Sequence, residues 1–319
     1  MRIHKKPAIW LVAMAFAIVY TLWGTTYIAI VIGLETLPPF IMASIRFILA
    51  GGILLCFSML RGENVWVPGI RKNLLLGLII LTGGQGLLFW AEQHIPSGYA
   101  AIIVSSLPLW YVLLDRTHWN IYFKNKLILT GLVLGFFGIL LLFQRYIGAP
   151  AGTGVLQILG MVAVVAACIC WATGTLWYKN HIDQNSIFLN LGWQLIGGFL
   201  SSLAIGFASG EFRGFSFAGV SAQSWLATVY LAVIGSLVAF IAFNWLLSVR
   251  PAAIVGTYAY VNPVIAVILG WLIADENITF LQIAGMMIIL LSAFLVNSPK
   301  YIALYKKRSG KKAVKQEVV

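Results

Sequence analysis

Of 319 residues, 61% are apolar and 9% are charged, and the mean hydropathy is +0.94. Soluble domains run at about 45–50% apolar and about 25% charged, so nine carboxylates and 21 basic residues cannot cover a water-facing surface on this chain. A soluble enzyme, a disordered tail and a disulfide scaffold are excluded, and hydrocarbon is the solvent for most of the sequence.

Apolar runs that can cross a bilayer core, at about 20 residues each, are read in order at 9–33, 39–60, 74–91, 98–114 and 126–143, then at 155–178, 187–209, 225–248, 252–274 and 279–296. Short polar or Pro/Gly-marked breaks separate them. The first run follows Arg2, Lys5 and Lys6 but extends to Gly33, too far for a signal peptide, and is expected to be a retained helix. Barrel strands would be shorter and would alternate apolar with polar. The expectation is therefore an all-α integral membrane protein of ten transmembrane helices.

The net charge of +12 invites a nucleic-acid reading, but its distribution explains it otherwise. With ten crossings both termini share a side. Eighteen of the 21 basic residues fall on that side, Arg145 and Arg213 fall opposite, and Arg46 lies inside a span. This bias predicts cytoplasmic termini and no nucleic-acid partner. Cys56, Cys168 and Cys170 lie inside apolar runs without a C-x-x-C pair and read as small buried hydrophobes.

The sequence repeats itself. Trp90, Pro96 and Pro108 in the third and fourth runs recur at the same spacing as Trp245, Pro251 and Pro263 in the eighth and ninth. Trp23-Gly24-Thr25-Thr26 in the first run is answered by Trp171-Ala172-Thr173-Gly174-Thr175 in the sixth, and Gly51-Gly52 by Gly197-Gly198. Each unit has an odd number of crossings, so the second enters the membrane from the other side. The expected organisation is two inverted five-helix repeats, 1–145 and 146–298, with a basic cytoplasmic tail at 299–319. Inverted repeats recur in secondary transporters, where cargo binds near the midplane between the halves.

Trp23-Gly24-Thr25-Thr26-Tyr27, Pro38-Pro39-Phe40 with Ile45-Arg46-Phe47, Ala91-Glu92-Gln93-His94-Ile95-Pro96-Ser97-Gly98, and Tyr258-Ala259-Tyr260-Val261-Asn262-Pro263 together resemble the EamA family of the drug/metabolite transporter superfamily. The resemblance covers nearly the whole chain, one unit per half. It implies an inner- or plasma-membrane carrier that exports small metabolites or drugs by alternating access. The chain departs from the family after the fourth run: Asp115-Arg116-Thr117-His118-Trp119 replaces the short Gly-Glu turn to which Ala274-Asp275-Glu276 is similar.

Polar residues inside a membrane are functional candidates by default. Arg46, eight residues past Pro38, either pairs with Glu92 or snorkels to the interface, or else attracts a cargo carboxylate or works a gate. Phe16, Tyr20, Trp23 and Tyr27 share a helical face, as do Trp171, Thr175 and Tyr178, and Gln85, Phe89 and Glu92. Such stripes serve packing or interface belts as readily as a cargo site. Placement on paired helices selects Trp23, Trp171, Gln85 and Asn244 as cavity-lining. Tyr258 and Asn262 share a face next to Pro263, which frees the Ala259 carbonyl and adds both to the expected cargo pathway. Pro108 and Pro263 are expected hinges and Glu92 an expected gate residue. Gly131, Gly135 and Gly138 suggest close helix contact within the chain or in a homodimer.

No serine–histidine or metal-ligand constellation lies at membrane depth, since His4, His94, His118 and His181 fall in loops or the tail. An intramembrane enzyme is the weaker alternative, and no cofactor or metal is expected. The expected function is export of small, amino-acid-like metabolites across the cell membrane. Efflux of drugs or cations through an aromatic site is the alternative, and the expected partners are a small molecule and the lipid bilayer.

Overall fold

A computed structural model describes residues 7–95, 97–142, 144, 154–181, 185–274 and 279–296. The chain is all-helical, with ten crossing helices and no strand among the described residues. They are α1 (Ile9–Leu34), α2 (Pro39–Leu60), α3 (Ile70–Glu92), α4 (Ser97–Val104 and Leu107–Leu114), α5 (Lys126–Leu142), α6 (Val155–Asn180), α7 (Ile187–Ala208), α8 (Ala222–Val249), α9 (Ala252–Val255 and Tyr258–Ala274) and α10 (Phe280–Val296). The expected junction at 145/146, the turn at 275–278 and the tail at 299–319 lie outside the described residues.

Local chemistry sets several ends. Pro39 opens α2 at a position whose N–H would have no helical partner anyway, and the α7 N-cap Ser186 accepts from the Leu189 N–H at 3.2 Å. Helix α3 begins at Ile70, ahead of the expected 74, because Gly69 at φ 98° turns the chain directly into it.

Two features break regular α-geometry, and both recur in the repeat. The middles of the third helix of each half, Gly77–Gly86 and Leu231–Ala239, are wound as π-helix. The fourth helix of each half is interrupted, α4 at Ser105–Ser106 and α9 at Gly256–Thr257. In α4 the break ends two residues before Pro108, with Leu107 between them. In α9 the break lies seven residues ahead of Pro263, which sits inside the continuous Tyr258–Ala274 helix. The glycine rather than the proline marks the discontinuity there.

Helices α2 and α7 lie along each other at the centre, α3 packs on α6 and α7, and α1 packs on α8 and α9. Glycine permits the closest approach: a Cβ on Gly77 would fall 2.0 Å from the Gln194 carbonyl oxygen of α7. The Gly131/Gly135/Gly138 stripe of α5 packs on α10 of the same chain. A Cβ on Gly138 would meet the Gly285 carbonyl oxygen at 3.1 Å, and Ser292 donates to the Gly131 carbonyl at 2.6 Å. The stripe is thus spent inside the molecule.

The exterior is apolar. Phe137, Leu200, Phe207, Leu226, Phe280 and Phe294 are each at least half exposed, while Arg46, Asn73, Gln194, Ser202 and Asn244 are buried. A water-soluble fold does the reverse, so this surface fits hydrocarbon as its surroundings.

Candidate functional site

A cavity of about 90 Å³ opens between the two halves. Six residues expected on the cargo pathway line it: Trp23, Arg46, Gln85, Trp171, Tyr258 and Asn262. They come from α1, α2, α3, α6 and α9, so both repeats contribute to one wall.

The π-wound segments explain how these side chains converge. Widened turns commonly occur at functional sites, and here each presents a glycine to a tryptophan of the opposite repeat. Trp23 Nε1 donates to the Gly235 carbonyl of α8 at 3.1 Å. In the mirrored contact, a Cβ on Gly84 of α3 would lie 2.9 Å from the Trp171 ring. The two indoles meet edge-on at 5.7 Å between ring centroids, with Tyr258 at 4.7 Å from Trp23 and Phe243 at 5.0 Å from Trp23 and 5.7 Å from Trp171. These rings form an aromatic wall.

Arg46 is 3% exposed, and its Nε donates to the Ser236 hydroxyl at 2.7 Å. Its guanidinium carbon lies 5.6 Å from the Phe47 ring centroid and 6.0 Å from that of Phe89. No carboxylate among the described residues lies within ion-pair distance of it. The alternative of an Arg46–Glu92 pair is therefore not realised. Glu92 lies one helical turn past Phe89 and does not line the cavity, and its Oε1 is buried without a partner. Counting turns placed the two residues near one end of the bundle but could not say where their side chains point.

Asn244 is corrected in the same way. It is buried but outside the cavity wall, with its amide donating to the Phe240 carbonyl one turn back at 2.8 Å. Phe240 and Phe243 take its place against Trp171, at 6.4 and 5.7 Å. Pro108 also lies behind the wall, next to the lining residue Leu107.

Sequence reasoning missed Ser236, Thr26 and Cys168 as members of the site. Ser236 has no distinguishing spacing, and Cys168, read as a buried hydrophobe, is buried and also lines the cavity. Of the other polar groups of the wall, Gln85 Oε1 is buried with no hydrogen-bond partner, and the Trp171 indole N–H lies among the rings. A guanidinium, an amide and an indole N–H set among aromatic rings can recognise an anionic head on an apolar body. Among the described residues no group of His, Cys, Asp and Glu could hold a metal.

Toward the face where α1 begins, hereafter the terminal face, the cavity is sealed. Tyr111 of α4 is fully buried, and a Cβ on Gly256 at the α9 break would fall 2.5 Å from its ring. Below this contact the unexpected 115–119 segment forms a latch. Asp115 accepts from Thr117 Oγ1 at 2.6 Å, Tyr122 Oη at 2.8 Å and His118 Nδ1 at 2.9 Å. Burial pushes this carboxyl up, but the three hydrogen bonds outweigh burial and hold it below the usual carboxylate range. Nearby, Lys179 donates to the Leu247 and Arg250 carbonyls at the end of α8. At the opposite face Glu211 accepts from the Phe40 and Ile41 N–H groups at 3.0 Å and closes the start of α2.

Residues 8–144 and 158–298 each match the EamA-like transporter family. The uncharacterized inner membrane transporter YedA of Escherichia coli K12 is 33% identical over 289 residues, which cover 89% of each chain. The Escherichia coli K12 protein named "Probable amino-acid metabolite efflux pump" is 24% identical, over 87% of this chain and 92% of its own. Protein PecM of Dickeya dadantii is 27% identical over 92% and 94%. A crystal structure sharing 18% identity superposes with a TM-score of 0.72, covering 90% of this chain and 96% of the other, which shows the common fold.

Proposed function

The chain belongs to the EamA-like transporter family and is a multi-pass membrane protein, and from that premise we propose that it is a secondary carrier exporting small carboxylate-bearing metabolites, amino-acid-like compounds among them, across the cell membrane by alternating access. The observation that carries this reading is Arg46. A buried guanidinium without a carboxylate partner is costly, and Arg46 lines the cavity, where a cargo carboxylate would supply the missing charge through hydrogen bonds from the guanidinium. The aromatic wall receives the apolar part of the cargo. The name of the efflux-pump relative agrees with this class of cargo.

The repeats provide the motion. One rocks against the other about the cavity, and the breaks in α4 and α9 let the terminal-face seal at Tyr111 and Gly256 open while the opposite side closes. The basic bias supports cytoplasmic termini, and on that reading the sealed face is the cytoplasmic one. Efflux of a cation through the aromatic wall is the weaker reading, because Arg46 presents a like charge to it.

Reconstituted protein should catalyse counterflow of at least one labelled acid from a panel of amino acids and aromatic carboxylates, and Arg46→Ala should reduce it at least tenfold. Counterflow restricted to cationic dyes, with Arg46→Ala unaffected, would overturn the assignment of Arg46 and of the cargo class.

A further inference from the structure

We propose that a groove between α1, α8 and α9 seats one amine-headed phospholipid of the leaflet opposite the terminal face, with an acyl chain along α1 and its ammonium on Glu35. The inference needs only the embedding of the chain in a membrane and stands apart from the identity of the cargo.

The groove holds about 530 Å³, within the range of about 300–1,000 Å³ usual for small-ligand sites. One side is the face of α1 that runs from Thr25 through Ala29 and Ile32 to Glu35, and the other is formed by α8 with Leu269 of α9. Ala29 and Ala227 line it with single methyl groups and leave the depression that larger side chains would fill. Among the described residues it shares no lining residue with the cargo cavity, which α1 meets through Trp23, Thr26, Tyr27 and Ile30. Helix α1 is thus the partition between the two. The ten residues from Thr25 to Glu35 make about 15 Å of helix, against a hydrocarbon core about 30 Å thick. The groove therefore runs from the midplane to the interface, through one leaflet.

Its two ends differ. At the deep end Thr25 donates to the Leu22 carbonyl at 2.7 Å and accepts the Tyr230 hydroxyl proton in turn, so nothing there demands a polar partner from an occupant's tail. Leu226, 72% exposed, continues the wall as hydrocarbon. The mouth carries Glu35 and Gln223, both exposed, and among the described residues no cation lies within ion-pair distance of Glu35. A carboxylate at the headgroup level repels an anionic head and accepts hydrogen bonds from an ammonium. A primary ammonium brings three N–H donors. A choline head brings none and is held instead by aromatic faces, and Tyr230, the one aromatic among the described lining residues, lies at the deep end. The Gln223 amide is placed to donate to the phosphodiester that follows the ammonium.

The probe is a phosphatidylethanolamine with a photoreactive diazirine at the end of one acyl chain, present at low mole fraction with the full-length protein in phosphatidylcholine vesicles. Peptide mapping should place its adduct on residues 25–32 of α1 or 226–230 of α8. Unlabelled phosphatidylethanolamine should suppress that adduct at least fivefold more effectively than phosphatidylcholine or phosphatidylglycerol with the same chains. Glu35→Gln should abolish this headgroup preference and Glu35→Asp should keep part of it, with adducts elsewhere on the chain unchanged in both. Glu35 is exposed at a helix end, so neither substitution threatens the fold. Adducts spread evenly around the bundle, or a headgroup preference that survives in Glu35→Gln, overturn the proposal. Crosslinking of these residues to a second copy of the chain in place of lipid would make the groove a protein interface and overturn it equally.

Discussion

Arg46 is held by one hydrogen bond to protein and is otherwise turned to the cavity, so its neighbours set how well it meets a carboxylate. Ser236→Ala should remove the Nε anchor, at a cost of about 1 kcal/mol, or roughly fivefold in apparent affinity, with the maximal rate unchanged. A saturation curve for labelled carboxylate checks this. Arg46→Lys should retain charge but lose the two-pronged geometry and recover only part of the activity. At the terminal face, Asp115→Asn should destabilise the fold by about 1–3 kcal/mol at neutral pH, because one of the two accepting oxygens becomes an NH2 that faces a donor and the remaining bonds lose their charge. The sign with pH follows from the lowered carboxyl. Its contribution is present above the ordinary carboxylate range and is lost as pH falls through the folded value. Melting curves of wild type and variant should therefore converge in acid. Arg46 was legible in the sequence because it is the one basic residue in the interior of an apolar run. Ser236 was not, since a single serine among many gains its role only when α8 meets α2.

At the scale of elements, helix number and type followed from apolar run length, and the inverted repeat followed from recurring Trp and Pro spacings. The π-wound stretches left no such trace: widening a turn changes which side chains share a face without requiring a particular residue. Asn244, on the matching helix of the second half, lies outside the wall with its amide turned back to the Phe240 carbonyl. Gly84 and Gly235, rather than polar residues, seat the two tryptophans. Gly84→Val should push Trp171 from its seat and abolish transport while the protein still folds, at a cost of about 1–3 kcal/mol. Binding assays beside a melting curve separate the two effects. Gly138→Val should instead act on stability, because the Gly285 carbonyl behind it cannot move aside as a side chain could.

Over the whole molecule, the repeats are interlocked: the first helix of each packs on the third of the other, and the cavity lies where the two contacts meet. The pairing of α4 with α9, at Tyr111 and Gly256, lies between that cavity and the terminal face. Cys168 provides a native reporter, since it lines the cavity while Cys56 and Cys170 can be changed to serine. The decisive measurement is labelling of this single cysteine by a membrane-impermeant thiol reagent applied to either side of oriented vesicles. Alternating access predicts labelling from both sides, protection by a transported carboxylate, and faster labelling from the terminal face in Gly256→Ala, whose added methyl group pries at Tyr111. Labelling from one side alone, unchanged by cargo and by Gly256→Ala, would contradict a carrier built around this cavity.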